Sequence, residues 1–303
     1  MLSAEAGSSD PSPVSMAISG GKMYIAGSYF DGTGRARACY WTDGAFTKLD
    51  GSEGRKEDMV EHASSIVFSD GKVYVGGDYG ADYNKTIPCY WVDGVLNNLD
   101  LPEGANQGVI RAIEVSGGKV YSAGWSIEGN ARIPGYWIDN TFMALDVPDG
   151  ASFNASTEMG IAVTDKVYVM GNYSMNSMSH SCVWIDGVLN TRPFDDTVEG
   201  AVNWFFAISD GKVYVSGYRF SDRNMIGCYW TDGVCTDLDV PAGMNSMAPS
   251  IGVIDGKVYA AGMYFDSSWN YKPCYWFDGV RTDLDIPTGA DKGAAILCIH
   301  ISE

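Results

Sequence analysis

Little in this chain of 303 residues is basic. Twenty Lys and Arg stand against 38 Asp and Glu, leaving a formal net charge of −18 and a pI near 4.4. A nucleic-acid partner needs a basic face to neutralise phosphates, so that class is excluded. Histidine is scarcer still: there are 3, His62, His180 and His300, and none stands at a metal-ligand spacing from another His or Cys. No metal site and no cofactor is therefore expected. No apolar run approaches the roughly 18 residues that a membrane span needs, so none is expected. No glycine-rich phosphate loop leads into a helix, no nucleophile elbow is present, and no stretch carries a helical period.

What the chain has in quantity is aromatic residues, glycine and repetition. Cys39-Tyr40-Trp41-Thr42-Asp43-Gly44 returns as Cys89-Tyr90-Trp91-Val92-Asp93-Gly94 and as Gly135-Tyr136-Trp137-Ile138-Asp139-Asn140. It returns again in the runs beginning Cys182, Cys228 and Cys274, with successive tryptophans 46 to 50 residues apart. A fixed period of that length means stacked copies of one supersecondary unit.

Each copy holds four short runs. A first apolar run such as Ser64–Phe68 reaches a Gly-Gly or Asp-Gly pair, at Gly20-Gly21, Asp70-Gly71, Gly117-Gly118, Asp210-Gly211 and Asp255-Gly256. The fourth copy keeps only Asp165 there. Lys72-Val73-Tyr74-Val75-Gly76-Gly77 and its echoes follow, then a longer variable loop, then the Tyr-Trp run. A second Asp-Gly pair leads into a fourth run such as Val95–Asp100. Asp-Gly between apolar runs is a hairpin signal, because both turn residues must accept positive φ.

The pattern predicts an all-β chain, a six-bladed β-propeller of four-stranded antiparallel blades of about 46 residues. Residues 1–13 are expected as a leader or flexible tether. Blades are expected near 14–60, 61–107, 108–155, 156–201, 202–246 and 247–292, with a closing strand over 293–303 that pairs with the first blade or with another molecule. The second run, Gly71-Lys72-Val73-Tyr74-Val75-Gly76-Gly77, resembles the diglycine strand of kelch-repeat propellers. Tyr40-Trp41-Thr42-Asp43 and Tyr229-Trp230-Thr231-Asp232 resemble the motif of the six-bladed YWTD propellers of lipoprotein receptors, although there the motif lies on the second strand. Neither resemblance carries binding residues across.

Five cysteines, Cys39, Cys89, Cys182, Cys228 and Cys274, share one repeat position, which sets them too far apart for disulfides and marks them as small buried side chains. Asp50, Asp100, Asp146, Asp196, Asp239 and Asp285 recur at the end of the fourth run, and recurrence in every copy points to a turn or capping role. Function is expected on the face that carries the long loops. The aromatic residues there, Tyr29, Phe30, Tyr79, Trp125, Tyr173, Tyr218, Tyr264 and Trp269, are the candidate ligand-binding residues. They suggest a non-catalytic binding module, extracellular or at the cell surface, for a glycan or protein ligand. Two alternatives are a polysaccharide hydrolase or lyase using carboxylates on the same face, and an assembly subunit using its terminal strand. Glycosylation sequons at Asn84, Asn154 and Asn172 suit the outside of a cell, whereas unpaired cysteines suit a reducing setting. The far-ultraviolet circular dichroism of the protein is expected to show no helical minimum; helix over more than about a tenth of the chain would contradict the pattern.

Overall fold

The computed structural model describes residues 9–49, 59–80, 86–153, 159–190, 202–222 and 224–286. Among them every regular element is a strand, and the strands form six antiparallel sheets. The first blade is β1 (Ser9–Ser19), β2 (Lys22–Phe30), β3 (Ala36–Thr42) and β4 (Ala45–Lys48). The second is β5 (Val60–Ser69), β6 (Lys72–Gly80), β7 (Thr86–Val92) and β8 (Val95–Asn98). The third is β9 (Gln107–Ser116), β10 (Lys119–Glu128), β11 (Ala131–Ile138) and β12 (Thr141–Ala144). The fourth has a divided first strand, β13 (Ser152–Phe153) and β14 (Gly160–Val163), both pairing β15 (Val167–Met175), then β16 (Met178–Ile185) and β17 (Val188–Asn190). The fifth is β18 (Val202–Ser209), β19 (Lys212–Ser221), β20 (Asn224–Thr231) and β21 (Val234–Asp237). The sixth is β22 (Asn245–Ile254), β23 (Lys257–Phe265), β24 (Tyr271–Phe277) and β25 (Val280–Asp283). This is the six-bladed β-propeller of four-stranded blades that the repeat predicts.

The chain divides into two compact units, Met1–His180 with Trp184–Leu189, and Ser181–Val183 with Asn190–Glu303. In the first unit, the hairpin turns have the expected chemistry. Asp43 and Gly44 sit at φ 49° and 85°, and Asp70 and Gly71 at 49° and 78°. Glycine or aspartate is needed there because a bulky side chain is strained in that region. The turn aspartate has a second task. Its Oδ1 accepts the second strand's N–H, from Met23 to Asp43 at 2.9 Å, Val73 to Asp93 at 2.9 Å and Val120 to Asp139 at 3.1 Å.

Neighbouring blades of this unit are joined by two repeated bonds. The indole Nε1 of Trp137 donates to the carbonyl of Asp100 at 2.8 Å, and that of Trp184 to the carbonyl of Asp146 at 2.6 Å. The recurring aspartate is thus a structural station between blades, as its repetition implied. At Asp100 the side chain also takes part, accepting from Asn140 Nδ2 at 2.6 Å. The second bond joins first strands: Ile66 N–H donates to Ser15 Oγ and Ile113 N–H to Ser65 Oγ, both at 3.2 Å. Tryptophans 41, 91, 137 and 184 are fully buried.

The second unit repeats the turn-aspartate and indole bonds, with Val258 N–H donating to Asp278 Oδ1 at 3.0 Å. Trp276 Nε1 donates to the Asp239 carbonyl at 2.7 Å, and Trp276 packs with Leu238, Ala248, Ala260, Tyr264 and Cys274. Ile251, Val258 and Tyr214 form a further cluster.

Cys39, Cys89, Cys182, Cys228 and Cys274 are buried thiols, and burial pushes Cys39 and Cys274 up to about 12. In the third copy a Cβ at Gly135 would collide with the ring of Phe142 and the carbonyl of Met143, so that ring fills the volume a cysteine takes elsewhere. The boundary expected at residue 13 falls earlier. β1 starts at Ser9, with Ser12 opposite Ser28 and Pro13 opposite Gly27. Prolines are tolerated there because β1 is an edge strand of its sheet and owes no N–H to a neighbour. The closing strand over 293–303, with the self-association through it, lies outside the described residues.

The inter-blade bond gives a direct test. Trp137→Phe keeps an aromatic ring but removes the N–H and part of the volume, and should cost about 1–3 kcal/mol in urea denaturation. An unchanged midpoint would show that the bond to Asp100 contributes nothing.

Candidate functional site

In the first three blades the first strand carries a β-bulge near the end that faces the long loops. Pairing skips Val14 between Pro13 and Ser15, Ser64 between Ala63 and Ser65, and Arg111 between Ile110 and Ala112. A bulge kinks its strand and re-aims the unpaired side chain. It also drives the first strand's carbonyl against the second strand. A Cβ added at Gly27, Gly77 or Gly124 would collide with the carbonyl oxygen of Ser12, His62 or Val109. The recurring glycine of the second strand is therefore required by close approach and not by a turn.

The re-aimed residues border a cavity of about 860 Å³, contained wholly in the first unit. Val14, Ser64 and Arg111 all line it, one from each bulge. So do Ser28, Asp78 and Trp125, which hold one repeat position just beyond the glycine. Its chemistry is concentrated in the second and third blades. His62 stands opposite Asp78 across β5 and β6, with Nδ1 3.3 Å from Asp78 Oδ1. The Asp78 side chain is buried, whereas the His62 side chain keeps 30% of its surface exposed. An Nδ1–H that donates to the carboxylate leaves the basic lone pair on Nε2. Thr86, also on the lining, is 5% exposed, and its Oγ1 has no hydrogen-bond partner among the described residues. Trp125 lies under the guanidinium of Arg111, 4.7 Å from ring centroid to Cζ.

A second carboxylate nearby is already engaged. Glu61 is buried, accepts from Arg37 at 3.3 Å, and accepts the Ala38 N–H at 3.3 Å. Arg37 is held in turn by Asp31 at 2.7 Å. Burial pushes the Asp31 carboxyl upward, but hydrogen bonds from Thr33, from Arg37 and from the Arg35 and Thr33 backbone outweigh it and hold it far below the ordinary range. Among the described residues no group of three or more His, Cys, Asp or Glu side chains converges as a metal site would need.

The sequence-derived aromatic residues separate into several environments. Tyr29, Phe30 and Trp125 line the cavity. Tyr79 is buried, with its hydroxyl donating to Asn98 Oδ1 at 3.1 Å. Tyr173 is buried and stacks on His180 at 5.1 Å. The other three belong to the second unit. Tyr264 is buried and donates to Asp283 at 3.1 Å, and Tyr218 is half-buried against the edge of Phe220. Trp269 is 53% exposed, at φ 62°, and stacked on Phe265 at 5.0 Å. Sequence reasoning missed His62, Asp78, Thr86, Arg111 and Arg132. The available signal was departure from the repeat: Asp78 stands where other copies carry Ser28, Trp125, Asn172, Tyr218 and Met263.

No protein-family model matches the chain, and no curated protein matches it by sequence. Solved structures do. A puromycin-hydrolysing peptidase from Mycobacterium tuberculosis aligns at TM-score 0.57 and 13% identity over 91% of this chain and 46% of its own. A puromycin hydrolase aligns at 0.54 and 9% over 92% and 54%. A structure from a study of two prolyl endopeptidases aligns at 0.51 and 13% over 92% and 43%. The chain spans about half the length of these three structures. The likeness is one of fold. These three structures are of hydrolases, which counts against the expectation of a non-catalytic binding module.

The bulge geometry is testable. Gly77→Ala should cost about 1–3 kcal/mol, since the His62 backbone must move to admit a methyl group. Denaturation at the wild-type urea concentration would show that β5 is not held against that glycine.

Proposed function

We propose that the chain is an enzyme that cleaves a polysaccharide at this cavity, with His62 as the general base. The observation that supports the reading best is the His62–Asp78 pair on the wall of a large cavity that also presents the face of Trp125. The carboxylate holds the imidazole in one orientation through Nδ1, and Nε2 is the nitrogen that takes the proton. A flat indole offers a wide apolar face to a sugar ring at little entropic cost.

The carboxylates divide the two branches of this reading. Hydrolysis of the usual kind needs two carboxyl groups about 5–10 Å apart across the bond. Among the described residues lining the cavity Asp78 is the one carboxylate, and Glu61 is bound by Arg37 and Ala38. A histidine base supported by one carboxylate suits proton abstraction better than that double arrangement. The kelch-like and YWTD-like character belongs to the same proposal and rests on the sequence of the second and third strands. So does an extracellular location, where such polymers are met.

Cleavage is read as new reducing ends released from a panel of neutral and acidic polysaccharides. His62→Asn should lower turnover by about 100-fold or more while the far-ultraviolet spectrum stays unchanged. Asp78→Asn, which keeps shape but loses charge, should lower turnover in the same direction. Full activity in His62→Asn, or no cleavage of any member of the panel by the wild-type protein, would overturn the reading.

A further inference from the structure

The cavity wall carries more positive charge than a chain of net charge −18 leads one to expect. Arg111 and Arg132 both line it, and neither makes an ion pair with any carboxylate among the described residues. Asp78, the one carboxylate on the described lining, is engaged by His62. Arg111 reaches the wall because it is the unpaired residue of the β9 bulge, and the Trp125 ring supports its guanidinium. Its repeat position carries Val14, Ser64, Trp204 and Pro249 in other copies, so the charge is peculiar to the third blade. Arg132 enters from β11, opposite Ile127. The buried Thr86 hydroxyl on the same wall lacks a partner among the described residues. Two arginines without acids and one unsatisfied hydroxyl form a site that wants oxygen ligands bearing negative charge.

Resting on the reading of His62 as a base, we propose that the substrate is an acidic polysaccharide built of uronate sugars, and that it is cleaved by β-elimination. A sugar carboxylate would be held by Arg111 and Arg132, its ring lying on Trp125. Neutralising that carboxylate acidifies the adjacent C5–H, which an imidazole can then remove. His62 takes the C5 proton, and the C–H electron pair becomes the C4–C5 double bond. The C4–O bond breaks, and its electron pair leaves with the glycosidic oxygen, which takes a proton from solvent in the cavity. The imidazolium then returns its proton to solvent. No water is added across the bond, and no oxidant or second substrate is consumed. The net charge of the chain repels a polyanion at long range, but salt at 0.1 M screens that field beyond about 10 Å, whereas the arginines act in contact.

The test uses the intact chain with oligogalacturonate, oligomannuronate and hyaluronan oligosaccharides. The methyl ester of oligogalacturonate and a neutral cello-oligosaccharide serve as controls. Calorimetry should find at least one of the three acidic ligands bound at least about tenfold more tightly than either control. Arg132→Gln should weaken that ligand by about tenfold and leave the neutral control unchanged; Arg111→Lys should retain part of the binding that Arg111→Gln loses. The product should absorb in the ultraviolet as a double bond conjugated to a carboxylate. Equal binding of acidic and neutral ligands, acidic binding indifferent to both arginines, or no binding of any acidic oligosaccharide would overturn the proposal. So would cleavage whose product lacks that absorbance. The two readings fail separately. Arginine-dependent acidic binding with undiminished cleavage in His62→Asn removes the base and keeps the substrate class. His62-dependent cleavage of neutral chains alone removes the substrate class and keeps the base.

Discussion

The approach of strand carbonyl to strand glycine governs both the packing of the blades and the cavity. In each of the first three blades a bulge presses the first strand onto the second, and only a residue without Cβ fits beneath it. One extra residue per blade is left over, and its side chain has nowhere to go except the wall on the long-loop side. Val14, Ser64 and Arg111 occupy that place. The bulged strands of the first two blades also bring Ser12, His62 and Ala63 to the cavity, and the bulge of β5 sets His62 across from Asp78.

A blade has two apolar faces and cannot bury either by itself. The repeated tryptophan fills volume between blades with one side chain, and in Trp137, Trp184 and Trp276 the indole also donates its N–H to a carbonyl at the end of the preceding blade. A buried indole N–H without such a partner costs free energy, so the aspartate that supplies the carbonyl is tied to the tryptophan through its backbone. That bond fixes the backbone of Asp100, Asp146 and Asp239 and not the identity of the side chain; the carboxylate makes local bonds such as that of Asp100 with Asn140. A rigid frame of that kind can carry ionisable residues at a few positions without disturbing its core. Asp78 and Arg111 are such substitutions within an otherwise neutral repeat position.

The sequence by itself determined the repeat, the strand count per blade, the positive-φ hairpins, the buried cysteines and the structural tryptophans. Each of these follows from local chemistry: Asp-Gly pairs make turns, alternating apolar residues make strands, and an even period makes equivalent blades. It also indicated the long-loop face. The aromatic residues of that face were not resolvable into one site. Tyr79 and Trp125 sit near each other in the repeat alignment, yet one is bonded to Asn98 inside its own blade and the other forms cavity wall. A shift of one residue along a strand reverses the face that a side chain takes.

Tertiary structure alone decided the rest. The bulges are invisible to a period-two pattern, because one skipped residue looks like ordinary irregularity in a short apolar run. Without them His62 and Asp78, sixteen positions apart, have no reason to meet. Nothing in the sequence sets Arg111 and Arg132 apart from the other charges of a strongly acidic chain, and only the fold shows that neither has a carboxylate partner among the described residues. Local propensity fixes which residues turn and which extend. The facing of charged side chains across a cavity depends on how strands from three blades are offset, and that offset is set by packing.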